Sequence, residues 1–336
     1  MALWTDVATP EELTVVAREA AQDREDREGF NLAQFLPNEF SQSQTITLEA
    51  GENGFVDAAE FRAYDAETPI GGRGLGNRRI TFELPPLGQK RRVSEYDQLV
   101  RLGDGGEAAI REAIGKATVL RAQAVADRIE LERGRILVSG KAVIDENGFK
   151  VDSSFGRDDE LTVTAGTTWA TNGADPIEDI LAWVETYVDK TGETPAYMVV
   201  STKAASALAK YNGFLPKDTI RRRASLEEIN ALLDAEDLPQ LVKYDRRVRV
   251  DGKAERVIPE NTVLFLPDAT AGLGKTYWGT TLESLDARYS IAAEDRPGIV
   301  AGAYQDDDPM GVWVKASAIA MPALADANLA MAATVL

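Results

Sequence analysis

The chain has 336 residues, 44% hydrophobic and 27% charged, which supplies apolar material for one large core or two medium ones. It contains no cysteine and no histidine, so disulfides, thiolate metal sites, a cysteine nucleophile and every triad with a histidine base are excluded, and acid–base chemistry is left to carboxylates, lysine and tyrosine. A net charge of −18 argues against general nucleic-acid binding, which neutralises phosphates with Lys and Arg.

No stretch approaches the ~20 apolar residues that span a bilayer. The opening MALWTDVATPEEL lacks a basic segment followed by an apolar one, so no secretory signal is expected and the chain should stay where it is made. Charge is uneven along the chain. Residues 1–60 carry 13 acids and 3 bases, whereas 71–92 carry six bases (Arg73, Arg78, Arg79, Lys90, Arg91, Arg92) against Glu83 alone. A basic element on an acidic body suggests contact between unlike surfaces; a solvated basic hairpin without a partner has the same composition.

The first element is a helix. Thr9 suits its cap, Pro10 its first turn, and Glu12 completes a capping box. Leu13, Val16, Ala17 and Ala20 follow on one face, and the polar run 22–28 ends it. Residues 29–50 read as an extended arm containing Pro37 and a β-prone TITL stretch. Residues 54–96 read as a long hairpin, with a first arm at 55–66 and a glycine-rich tip at 71–77. The return arm at 79–84 alternates as a half-buried strand does. Pro85-Pro86 then stops regular pairing. Such a hairpin buries too little apolar surface to stand alone, so it must lie on something; in a self-assembling subunit that support is a neighbour.

Residues 104–135 read as one long helix capped by Asp104. Ile110, Ile114, Ala117, Leu120, Ala124 and Leu131 recur at helical spacing, with six acids balancing six bases. A helix of about 30 residues is about 45 Å long, a strut rather than a typical globular helix. Strands are expected at 135–139 and 161–164, joined by a polar loop, with a turn-rich boundary at 169–173. Asp175-Pro176 opens a helix over 177–190, with Ile180, Leu181, Val184 and Val188 on one face. A strand at 197–201, helices at 203–211 and 225–234, and strands at 241–244, 247–250 and 263–266 follow. A strong strand pattern, GVWVKASAIAM, returns at 311–321. The class is α+β, with two lobes and a protruding arm and hairpin.

Four motifs touch on chemistry. Residues 269–276 (ATAGLGKT) approach a phosphate loop, with Ala269 in place of the first glycine and Lys275 as its lysine, but the following YWGTT is poor helix material, and the motif needs a helix N-terminus. A plain glycine turn between strands is the competing reading. Asp145-Glu146-Asn147-Gly148 starts like a calcium loop, but its glycine comes two positions early. Asp306-Asp307-Asp308 is either a cation site at a subunit junction or a solvated loop. Arg221-Arg222-Arg223, at a helix start where the dipole does not favour it, is either paired or exposed. No catalytic, cofactor-binding or metal-ligating residue is assigned.

The order of elements, with Thr68-Pro69-Ile70-Gly71-Gly72-Arg73 at the hairpin tip, ELPPL at 83–87, EYD at 95–97, GKTYWGTT at 274–281 and VWVKA at 312–316, resembles the major capsid proteins of tailed bacteriophages. These have the Hong Kong 97-type fold, and the likeness is to the lambda-like major head protein branch. The resemblance implies an N-terminal arm (1–53), an extended loop over an adjacent subunit (54–98), and a peripheral domain (99–174) with spine helix 104–135. It further implies an axial α/β domain (175–305) and a return strand closing the peripheral sheet (306–336). It implies hexamers and pentamers of an icosahedral head that encloses double-stranded DNA without sequence-specific binding. Assembly would take place in the bacterial host cytoplasm, with a scaffolding protein and portal as partners, room for a decoration protein, and no membrane. The six basic residues are the expected intersubunit contacts. No Lys–Asn crosslinking pair is placed, and no cofactor or enzymatic activity is expected. An encapsulin-like compartment shell shares the fold and is the first alternative; a nucleotide-binding enzyme using Lys275 is the second.

Overall fold

The capping signals around Thr9 are used as written. After a short strand β1 (Ala2–Leu3), the Thr9 hydroxyl accepts from the Glu12 amide at 3.3 Å and the Glu12 carboxylate accepts from the Thr9 amide at 3.2 Å, starting α1 (Pro10–Asp26). The computed structural model describes residues 2–27, 29–50, 78–211, 214, 223–308 and 310–336. The predicted first hairpin arm, the tip with Arg73, and Arg221 and Arg222 lie outside them.

The chain continues through β2 (Asn38–Phe40), β3 (Thr45–Ala50), β4 (Arg78–Glu83), β5 (Pro86–Val93) and α2 (Glu95–Ser139). Next come β6 (Lys141–Glu146), β7 (Phe149–Ser154), β8 (Thr162–Thr164), α3 (Pro176–Thr191), β9 (Tyr197–Val200), α4 (Thr202–Leu208) and α5 (Leu226–Ala235). The last part holds β10 (Gln240–Lys243), β11 (Arg247–Val250), β12 (Lys253–Arg256), β13 (Thr262–Leu266), β14 (Gly274–Gly279), α6 (Leu282–Leu285), β15 (Val300–Asp307), β16 (Met310–Leu324) and β17 (Met331–Thr334). Two compact units result. One comprises Met1–Ile46, Phe82–Arg133 and Thr276–Pro322; the other comprises Thr47–Thr81, Gly134–Lys275 and Ala323–Leu336.

The first unit is built on β16. Its residues 312–317 pair with β15 on one side and β5 on the other, both antiparallel. The sheet runs β1-β15-β16-β14-β2, with β5 beside β16. Val312, Val314, Ala316, Ala318 and Ala320 alternate onto one face and are buried in a cluster with Leu13 and Ala17 of α1 and Ile110, Ile114, Val125 and Ile129 of α2. The alternation of GVWVKASAIAM therefore marks a strand with one helix-covered face.

The second unit holds a five-stranded sheet, β10-β9-β13-β17-β8. Every residue of β13 is buried, as befits a strand between β9 and β17. The amphipathic face of α3 supplies Ile180, Trp183 and Tyr187 to this core. Trp183 stacks on Trp169 at 5.9 Å and meets Phe265 edge-on at 6.1 Å.

Several expectations are corrected. Residues 135–139 form the last turn of α2, not a strand; Ile136 and Leu137 are both buried, and a short apolar run does not distinguish a buried strand from a buried helix end. Helical backbone starts at Glu95, ahead of the expected 104, and is interrupted at Gly106, whose φ of 64° and ψ of −144° suit only glycine, so two helical segments meet there; the side chain of Asp104, the expected cap, lies outside the described residues. Pro85-Pro86 does not end pairing, because Pro86 is the first residue of β5, a position that tolerates the missing N–H. The polar loop after residue 140 is the β6–β7 hairpin. The calcium-like start is its turn, with Asn147 at φ 49° and Gly148 at φ 85°, the positive pair of a tight two-residue connection. Val16, Leu120 and Leu181, counted on buried faces, are 36%, 45% and 45% exposed.

Candidate intersubunit surface

Three of the predicted contact residues stand together on β5. Among the described residues this strand pairs only with β16, so its other edge is open. The register sets Lys90 opposite Lys315, Arg91 opposite Val314 and Arg92 opposite Trp313. Directly opposed residues share a face, so Lys90 and Arg92 stand with Trp313 and Lys315 on the face away from α1 and α2, and Arg91 turns toward the side those helices cover. Arg78 and Arg79 stand on β4, which pairs with β3; Arg79 is exposed.

Two lysines directly opposed repel each other. Both are compensated. The Lys90 ammonium sits 4.7 Å from the centre of the Trp313 ring, a cation–π arrangement. Lys315 is ion-paired with Glu283 of α6. Burial pushes the Glu283 carboxyl up, but the hydrogen bond and charge of Lys315 outweigh it and hold the group below the usual carboxylate range. Arg92 donates to the Met310 carbonyl at 3.3 Å and lies across Gly311, where a Cβ would come within 2.7 Å of its Nε. Arg91 is exposed and close enough to Arg121 to lower that guanidinium's pKa, burial being the larger cause.

Beside this face β5, β16 and α6 enclose a cleft of about 530 Å³, bordered by Pro86, Leu87, Leu282 and Ile319. Its charged groups are Lys90 and the mutually paired Lys315 and Glu283, and the Ser317 hydroxyl also donates to Glu283 at 3.5 Å. The remaining motifs resolve into local structure. In the phosphate-loop-like segment, the Asp268 carboxylate accepts from the Thr270 amide at 2.9 Å and hydroxyl at 2.7 Å, and the chain then enters strand β14 instead of a helix. The helix N-terminus that holds a phosphate is therefore missing. Asp306 accepts from the Trp313 indole at 3.2 Å, and Arg223 donates to the Ser206 hydroxyl at 3.4 Å. Among the described residues no group of three or more acids can hold a metal ion, and no helix is long and apolar enough to cross a membrane.

Sequence reasoning missed a buried ionic cluster in the first unit. Arg133 of α2 is 1% exposed. Its guanidinium donates to the Thr276 hydroxyl at 2.9 Å, Asn38 at 2.7 Å and Glu130 at 3.1 Å, and pairs with Glu25. Glu130 accepts from the Leu32 amide at 3.0 Å, and Asn38 also accepts from the Trp278 indole at 2.8 Å. One helical turn earlier, Asp127 takes a two-pronged bond from Arg24 at 2.9 and 3.1 Å. Asp127, Glu130 and Arg133 are three apart, so one charged stripe of α2 fastens residues 24–38. The spacing is legible in the sequence; the partners, about a hundred residues away, are not.

The sequence matches the profile of the family described as phage major capsid protein E over residues 14–335. No curated protein matches it in sequence. Among solved structures, one described as a prophage capsid protein of E. coli CFT073 superposes with a TM-score of 0.64 at 14% identity, covering 96% of this chain and 99% of that one. A phage-related protein from Bordetella bronchiseptica RB50 gives 0.56 at 16% identity, over 96% and 95% of the two chains. A virus-like particle from Pyrococcus furiosus gives 0.51 at 13%, over 96% and 99%. The fold is the α+β, Hong Kong 97-like one. A profile that spans nearly the whole length settles the family: the chain belongs to the phage major capsid protein E family.

Proposed function

We propose that the chain assembles with copies of itself, as hexamers and pentamers, into an icosahedral phage head that encloses double-stranded DNA. The observation that carries this reading is the family match over residues 14–335. The second unit would serve as the axial domain and the first as the peripheral domain, with residues 54–98 lying over an adjacent subunit. Curved shells from one chain need contacts between two different patches of its surface. A basic strand edge on a chain of net charge −18 provides such a pair of unlike patches. The same excess of acid keeps the wall from adhering to its genome. Assembly would proceed in the host cytoplasm with a scaffolding protein and a portal, with a decoration protein as a further outside partner.

Negative-stain microscopy of the chain expressed with and without its scaffold tests the reading. Uniform shells that depend on the scaffold are expected; the lack of any particle overturns it. Small cages loaded with a cargo enzyme would instead identify a compartment shell. Heat on titration with millimolar ATP would restore the nucleotide-enzyme alternative through Lys275. Reversing Arg78, Arg79, Arg91 and Arg92 to Glu should block assembly and leave a folded monomer; shells of normal size and yield would refute the charge-matching part.

A further inference from the structure

The first helical segment of α2 turns an apolar face outward. Tyr96, Leu99 and Val100, spaced i, i+3, i+4, are 75%, 62% and 45% exposed. This segment is not loose chain. Ser94 accepts from the Asp97 amide at 3.1 Å, and the Gln98 side chain donates to the Val93 carbonyl at 3.2 Å, which ties the first turn to the end of β5. At its far end the backbone breaks at Gly106. A capped helix that shows a contiguous apolar stripe to water marks an interaction surface more often than an accident of composition.

The strand that leads into the stripe carries one member of a charge couple. Arg91 precedes Tyr96 by five residues, which limits their separation to about 18 Å. Arg91 faces Arg121, and the Nε of Arg121 is buried with no hydrogen-bond partner among the described residues. Two guanidiniums that repel each other, with no carboxylate paired to either among the described residues, are unusual in a chain with 55 acids and 37 bases. What completes such a couple is an anion, and the commonest anion on the surface of this chain is a carboxylate.

We infer that Tyr96, Leu99 and Val100, together with Arg91 and Arg121, form a docking surface covered by a second copy of this chain, which sets a carboxylate between the two arginines. The inference rests on the self-assembly reading and gives it a place: aromatic and aliphatic anchors with an arginine pair beside them, the composition of an interface centre. Nucleic-acid phosphate is the rival anion. It does not account for the apolar stripe, which offers a phosphate backbone nothing.

Hydroxyl-radical footprinting of the full-length chain, as free subunits and as shells formed with its scaffold, tests the surface directly. Tyr96 should be oxidised roughly ten-fold less in shells, the protection expected of a side chain at an interface centre. Equal reactivity in wild-type shells overturns this inference alone; failure of the wild type to form shells overturns the reading beneath it as well. Two variants extend the test. The Tyr96→Ser, Leu99→Ser pair and the Arg91→Gln, Arg121→Gln pair should fold with unchanged circular dichroism and lose about ten-fold or more in shell yield. Normal shell yield from either overturns the inference. So does normal yield of the arginine variant with less packaged DNA, which would assign the couple to phosphate.

Discussion

Arg133 carries more than a single contact. Its five donors form a rigid fork, and Thr276, Asn38, Glu130 and Glu25 receive them from three different directions. A buried ion pair adds little net stability over an apolar pair of the same shape, but removal of one partner leaves the others charged and dry. Arg133→Ala should therefore cost about 3–5 kcal/mol, read from the midpoint of urea unfolding. Arg133→Lys should recover only part of this, because an ammonium cannot span the same acceptors. A loss under about 1 kcal/mol for the alanine variant would mean that the cluster relaxes around the gap.

Two glycines of α2 make opposite predictions from one element. A Cβ on Gly115 meets nothing within 4 Å, whereas on Gly134 it would stand 2.3 Å from the Val257 carbonyl oxygen and 2.9 Å from its carbon. Gly115→Ala should stabilise by about 0.5–1 kcal/mol, the helix-propensity difference. Gly134→Ala should destabilise by about 1–3 kcal/mol or more, since backbone and not a flexible side-chain end must move. Parallel urea melts of the two variants compare them; a stabilised Gly134→Ala would refute the close packing. This element also shows how far sequence can be read. Ile110, Ile114 and Ala117 announce the helix because its period is local. The break at Gly106 and the end beyond residue 135 depend on one backbone conformation and on burial, which no spacing encodes. Strand β5 was hidden for a different reason: its partner Val312–Ile319 lies more than two hundred residues away, and Pro85-Pro86 gives a local stop signal that the tertiary pairing overrides. Of the candidate surface, the run of bases was legible as composition. Which face each base takes follows from the register with β16, and the partners Trp313 and Glu283 follow from the fold.

The whole molecule should show an unusual pH profile. With no histidine, nothing among the side chains has an ordinary pKa near neutrality. The groups that move on folding and titrate on the acid side are carboxylates. Asp158 is held low by the Glu160 amide and then by Lys190, and Asp286 is held at about 2 by Arg288 through its side chain and its amide. Glu283 is pushed up by burial and pulled further down by Lys315. Each has a folded value below its unfolded one, near 3.8 for Asp and 4.5 for Glu. Protonation therefore favours the unfolded chain. The stabilisation is fully present above the unfolded values and is lost as pH falls through the folded ones. Neutralising carboxylates also reduces the repulsion of a chain at −18, which opposes the loss at first. Urea midpoints should then stay level between about pH 6 and 8 and fall below about pH 4, continuing toward pH 2 where Asp286 is last to protonate. A step near pH 6.5 would contradict the assignment, because no side chain of the protein has an ordinary value there.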